Sequence, residues 1–289
     1  MKKTPISKEI PTRLTIKQFT EFILPHLPPP PRRGRKRKLC WYALINYILL
    51  FLHTGCQWKQ LPINRNERGE PEIHYTRIRA AFAMLTAMGV MAAILAASIA
   101  ALAKAGLLDL SVIHGDGTST AAKKGGDNIG RNGHKHHKGD KVVAFCDRNC
   151  NVIAPFIAAP GNRNETVLFV DAFTQVKSIA RRVGLDLSAT IVSLDGGYDS
   201  AGNRKAIFNA GMIPNIRENR RGRKKVKRGR KRLYDPKIFK ERFRTIERVF
   251  AWEDKFKRLL LRFERISELH YGLKMLAYAM INLRHFCTT

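Results

Sequence analysis

Acidic side chains are scarce in this sequence: 23 Asp and Glu face 53 Lys and Arg, a formal net charge of +30 over 289 residues. No single globular fold needs that excess, and self-repulsion opposes it. A polyanion would relieve the repulsion, and nucleic acid is the commonest one. Cysteine is scarce too. The five, Cys40, Cys56, Cys146, Cys150 and Cys287, are odd in number and irregular in spacing. Cys146 and Cys150 flank an expected turn, but no second pair completes a zinc site, so they read as reduced cytosolic thiols. No apolar core follows the basic residues of positions 1–14, which predicts no signal peptide. Charge is missing altogether from residues 80–103, a stretch long enough to span a bilayer. Ala dominates it, however, and Gly89 interrupts it. The expectation is two close-packed helices joined near Gly89, and no membrane.

Hydrophobic residues make up 44% of the chain, enough for a sizeable core. The first hundred residues read as helical. A short helix at 16–24 precedes Pro28, Pro29, Pro30 and Pro31, a stiff linker. Residues 39–53 are apolar at helical spacing, with Gly55 as the stop. The character changes near Leu108. Residues 111–116, 141–145 and 152–157 are β-prone, the last two a hairpin turning at Asp147, Arg148 and Asn149. A helix over 165–183, a strand over 190–195, a helix after Ser200 and a strand over 212–216 complete the series. Asp235 and Pro236 cap and open a long helix with Phe239, Phe243, Ile246, Phe250 and Leu260 on its apolar stripe. Three strands followed by helix, strand, helix and strand predict an α/β fold, an RNase H-like mixed sheet flanked by helices. The expected division is a helical, basic N-terminal domain at 1–107 and a catalytic domain at 108–289, with a basic insertion at 217–232.

Carboxylates at strand ends in so basic a chain are worth inspecting, because cutting a phosphodiester requires an activated water and a stabilised leaving oxygen. Two divalent ions held by hard oxygen ligands supply both. Asp116 follows an apolar run and precedes Gly117; Asp195 ends the next long one and precedes Gly196 and Gly197. Either alone reads as a turn residue. Two on the same side of one sheet read as a site. Glu247 lies four residues after Phe243 and three before Phe250, bordering the apolar stripe; Glu253 and Glu264 are weaker rivals.

The segments 116–118, 194–200 and 246–252 resemble the three catalytic blocks of bacterial insertion-sequence DDE transposases. Residues 54–62 resemble the helical domain preceding the core in that family, and 129–131 and 161–165 resemble further blocks. The resemblance runs from about Arg35 to Phe286. It implies an RNase H-like core, a divalent-metal reaction with two Mg2+ (or Mn2+), and Asp116, Asp195 and Glu247 as catalytic and metal-holding residues. One departure is visible. A related group carries Tyr, Arg, Glu and Lys around the third acid, where this chain has Lys240, Phe243 and Asp254, so it fits a sister group.

Two basic runs are the expected DNA contacts. Arg32, Arg33, Arg35, Lys36, Arg37 and Lys38 form the first. The second, residues 217–232, holds eleven Lys or Arg in sixteen positions, with Arg220, Arg221, Arg223, Lys224 and Lys225 at its centre; Arg248 lies beside Glu247. Contacts to phosphate give salt-dependent affinity without reading sequence. His134, His136 and His137 read as DNA-facing or solvated. The expected partner is double-stranded DNA, both element ends and target, bound by a homodimer or larger assembly in the cytoplasm at the nucleoid. The rival readings are a nuclease or resolvase that cuts without joining, an inactive repressor that occupies DNA ends, and an RNA-binding protein.

Overall fold

A computed structural model describes residues 9–29, 38–133, 135–219 and 232–287. The elements in order are α1 (Ile16–Phe22), α2 (Trp41–Thr54), α3 (Tyr75–Ala87), α4 (Val90–Lys104), β1 (Val112–Ala121), β2 (Gly130–Asn132), β3 (His137–Asp147), β4 (Ile157–Pro160), α5 (Glu165–Val183), β5 (Ile191–Leu194), α6 (Ala201–Phe208), β6 (Ile213–Ile216), α7 (Pro236–Lys240), α8 (Ile246–Glu253) and α9 (Ser267–Leu283). The chain divides into two compact units, one of Met1–Ser98, Ala122–Asp127 and Trp252–Thr289, the other of Ile99–Ala121 and Asn128–Ala251.

The first unit is helical. Gly55 ends α2 at φ 70°, a left-handed turn that favours glycine, and a Cβ there would lie 2.8 Å from Lys257 Cβ. Gly272 on α9 faces α3, where a Cβ would meet Thr86 Oγ1 at 2.7 Å. Phe51 and Trp58 stack with centroids 3.6 Å apart, so Trp58 is a packing residue. Two of its buried cations pair with glutamates, Arg258 with Glu264 and Lys274 with Glu253. Those two glutamates, the weaker rivals of Glu247, are therefore engaged in ion pairs. No single described helix is long and apolar enough to cross a membrane; α3 and α4 pass that test only as a pair, bent by 66°. The expected break near Gly89 is where the bend falls.

The second unit carries the sheet, in the order β2-β3-β1-β5-β6 with β4 also on β3. β1 pairs antiparallel with β3 and parallel with β5, and β5 pairs parallel with β6. Three antiparallel strands joined through β1 to two parallel ones make an RNase H-like mixed sheet, with helices of the same unit packed on it. The glycines of β1 let it sit deep in this sheet: a Cβ on Gly115 would clash with the edge of the Phe145 ring and lie 2.6 Å from Leu194 Cδ2. Three expectations need correction. Residues 152–156 form no strand beyond an isolated bridge of Val152 to Cys146, and the next strand on β3 is β4. β2 lies in the Gly-, His- and Lys-rich residues 123–141, between the first two β-prone runs, where the sequence predicts a loop; three of these residues pair with β3. The long helix after Asp235 is broken: α7 gives way to a 3-10 turn at Glu241–Arg244, then Thr245 at φ −120°, ψ −90° precedes α8. The break resets the helical phase, so Phe243 is 62% exposed whereas Ile246, Val249 and Trp252 are buried.

Candidate active site

β1 and β5 run parallel, with His114 opposite Ser193 as their last paired residues. Two residues further along each strand stand Asp116 and Asp195. Neighbouring strands lie about 4.8 Å apart, so the shared register puts both carboxylates at one level beyond the end of the parallel ladder. Asp195 ends its strand as expected. Asp116 does not: β1 continues to Ala121 against β3 alone, pairing Asp116 with Ala144. β1 therefore overhangs β5, and the two acids stand where the overhang begins.

Each acid is held by the backbone that follows it. Asp116 Oδ1 accepts from Gly117 N at 2.8 Å, and Asp195 Oδ1 from Gly197 N at 2.7 Å. Burial pushes the Asp116 carboxyl up to about 6; Arg242 and the Gly117 N–H oppose that rise, and Asp195 and Glu165 add to it. Arg242 Nη2 lies 2.6 Å from Asp116 Oδ2.

The N-terminus of α5 brings a further acid. Asn164 caps that helix by accepting from Thr166 N at 2.9 Å. Glu165 then lies over β1 so closely that a Cβ on Gly117 would be 2.6 Å from its Cδ. Lys141 Nζ pairs with Glu165 Oε1 at 3.0 Å. Thr166 Oγ1 donates to Gly197 O, tying α5 to the turn after Asp195. Tyr198 is wholly buried and its hydroxyl has no partner among the described residues. Burial holds its pKa well above 10, with Glu165, Asp116 and Asp195 adding to the effect. Glu165 and Tyr198 fall within family-like blocks that assign them no role, and Arg242 and Lys141 carry no mark in the sequence. Their signal is tertiary: nothing in local spacing brings positions 141, 165, 198 and 242 together.

The segment before α8 is fixed on the same unit. Arg148 grips Glu241 with two nitrogens, Nε at 2.9 Å from Oε2 and Nη2 at 2.5 Å from Oε1. His114 Nε2 is 3.6 Å from Glu241 Oε2, beyond hydrogen-bond reach. Burial takes the His114 pKa down to about 4 despite Glu241, so the imidazole is neutral at pH 7.

Glu247 occupies the first turn of α8, where the helix dipole favours a carboxylate, and is exposed. The structure brings Asp116, Asp195 and Glu165 into one electrostatic neighbourhood; it does not show Glu247 joined to them. Among the described residues no three His, Cys, Asp or Glu side chains form a group able to hold a metal ion. A two-carboxylate donor set still suits magnesium, which keeps several waters and binds through one or two carboxylates plus substrate phosphates. Lys38 and Arg248 are exposed. Arg32, Arg33, Arg35, Lys36, Arg37, Arg220, Arg221, Arg223, Lys224, Lys225 and His134 lie outside the described residues. His136 is exposed, and His137 opens β3 opposite Asn132.

A mixed sheet of this order with acids at one level of two adjacent parallel strands defines a class: RNase H-like proteins with a carboxylate centre. Comparison with known proteins narrows the class. Residues 102–280 match the model of the family described as "Transposase DDE domain", and the chain belongs to that family. Residues 17–95 match a second model, "Putative transposase of IS4/5 family". The chain is similar to the "Putative transposase for insertion sequence element IS402" of Burkholderia cepacia, 28% identical over 154 residues; these are 52% of this chain and 63% of that protein, less than two thirds of its length. A solved structure of a pre-cleavage Mos1 transpososome aligns over 88% of this chain and 80% of its own, at 10% identity and a TM-score of 0.28. The fold assignment rests on the strand order instead. Family membership carries a general dependence on divalent metal.

Proposed function

We propose that this chain cuts DNA at the ends of an insertion sequence and joins them to target DNA, with Asp116, Asp195 and Glu247 as its catalytic carboxylates. The observation that carries the reading is the shared register of Asp116 and Asp195 beyond the β1–β5 ladder. Two Mg2+ or Mn2+ ions, when bound, would supply a nucleophilic water and stabilise the leaving oxygen. Asp116 and Asp195 would hold them from the sheet, and Glu247 from the start of α8. The Gly117 and Gly197 amides hold one oxygen of each aspartate, and the second oxygen of Asp116 is paired with Arg242. A water first breaks a phosphodiester, leaving a 5′ phosphate and a free 3′ hydroxyl; that hydroxyl then attacks a target phosphodiester and displaces the 3′ oxygen of the target strand. Joining handles two ends, which supports a dimer or larger assembly. The domain reading follows: residues 1–107 engage DNA, residues 108–289 perform chemistry, and the two basic runs, with Arg248, grip phosphate.

The test is incubation with Mg2+ and a duplex carrying the DNA that flanks the gene. The parent is expected to cut and join; Asp195→Asn is expected to bind without either. Cutting without joining would indicate a nuclease, binding alone a repressor. Cutting that survives Asp195→Asn would remove Asp195 from the site.

A further inference from the structure

We propose that Arg242 and the divalent ion compete for the Asp116 carboxylate, so that a DNA phosphate, by taking Arg242, admits the ion. The inference rests on the reading of Asp116 as a metal ligand.

Arg242 leaves the 3-10 turn between α7 and α8 and is only 6% exposed. Its Nη2 reaches Asp116 Oδ2 at 2.6 Å, while its Nε is buried with no hydrogen-bond partner among the described residues. The Phe239 ring lies 5.4 Å from the guanidinium carbon. The other charges felt by Asp116 are the carboxylates of Asp195 and Glu165, and Glu165 is already engaged by Lys141. Arg242 is thus the cation seated on Asp116.

A guanidinium cannot give up its proton at any ordinary pH. An ion arriving at Asp116 therefore removes the anion from a buried charge and sets a second cation beside it. Leaving a buried charge unpaired is strongly unfavourable. Water cannot neutralise the arginine there; an anion with two oxygens can, and phosphate fits the guanidinium fork with two parallel hydrogen bonds. With DNA present, every cation has an anion: the ion has Asp116, and Arg242 has phosphate. Without DNA, one cation is left over. The two ligands must then favour each other's binding by the same factor, as thermodynamic linkage requires. The unpartnered Nε fits this account, since the Asp116 contact uses Nη2 and leaves that donor unfilled.

The experiment is a calorimetric titration of the full chain with Mn2+, with and without a DNA duplex in Ca2+-free buffer, repeated for Arg242→Gln, Arg242→Lys and Asp116→Asn. The parent is expected to bind Mn2+ about tenfold or more tightly with duplex than without. Arg242→Gln should bind it several-fold more tightly without duplex than the parent does, and depend less on duplex. Arg242→Lys, which keeps the charge but not the fork, should keep the weak binding without duplex. Equal Mn2+ affinity of parent and Arg242→Gln without duplex would overturn the proposal. If thermal melting shows Arg242→Gln unfolded, the parent alone decides: Mn2+ must raise its duplex affinity by the same factor, and no effect overturns the proposal. Asp116→Asn separates the two levels of inference. If it binds Mn2+ in the presence of duplex as the parent does, the metal-ligand reading itself fails. If it loses the ion while Arg242→Gln gains nothing, only the competition fails.

Discussion

At the scale of the residue, the chemistry of this chain comes down to how few carboxylates sit near the sheet and what each is given to hold. Asp116 carries a pKa raised to about 6 by burial. A protonated carboxyl cannot ligate, so Mn2+ affinity in the absence of DNA should fall as pH drops below about 6 and level off above it. Titrations between pH 5 and 8 check this; a flat profile would remove Asp116 from the ligand set. His114 behaves oppositely. Its folded pKa of about 4 lies below the ordinary 6.5. Stability from the neutral imidazole is therefore present above pH 6.5 and lost as pH falls toward 4, amounting to about 3 kcal/mol at full protonation. His114→Leu should flatten that part of the acid-induced fall in melting temperature. The residue scale is also where sequence reading stopped short. Asp116 and Asp195 are legible because each follows an apolar run and precedes glycine. Arg242 and Glu165 are not, because an ion pair between positions 116 and 242 depends on chain reversal that no local pattern encodes.

Among the elements, β1 is the one that positions most. Its Gly115 sits under Phe145 of β3, its register partner, and against Leu194 of β5. Gly115→Ala should cost about 1–3 kcal/mol through overpacking, read as a lower urea midpoint with unchanged slope. A change below the error of the measurement would mean that the ring and the leucine can step aside. α8 presents the contrasting case. Helical periodicity across residues 236–260 suggested one long helix, and Thr245 broke it. Thr245 Oγ1 bonds Glu241 O at 2.9 Å within the preceding turn, a side-chain bond that competes with helix continuation. Glu247 consequently opens a new helix instead of riding mid-stripe. The helix over 165–183 was legible to the residue, since Asn164 supplies a cap and Gly184 a left-handed stop at φ 69°. β2 was not, because three residues of Gly, Arg and Asn carry no strand propensity of their own and are strand by pairing alone. Glu247→Gln is expected to abolish cutting while leaving circular dichroism and duplex affinity unchanged; retained cutting would shift the third role to another acid, with Glu165 the first to test.

For the whole molecule, the net charge of +30 sets the terms of association. Duplex affinity should fall steeply with salt, about 0.9 in the log–log slope for each phosphate neutralised. Replacing Arg220, Arg221, Arg223, Lys224 and Lys225 with Gln should reduce that slope by several units if the second run grips phosphate, and leave it unchanged if the run is merely solvated. The overhang of β1 past β5 has a further consequence, for how such a chain can change over time. The separation of Asp116 from Asp195 is set by backbone pairing between two strands, not by the side chains around them. Substitutions on either face of the sheet can then accumulate without moving the two acids apart, provided Gly115 and the ladder ending at His114 and Ser193 persist. Divergence is thereby uncoupled from the placement of the two acids: the chain can drift widely in sequence while their spacing is inherited with the fold.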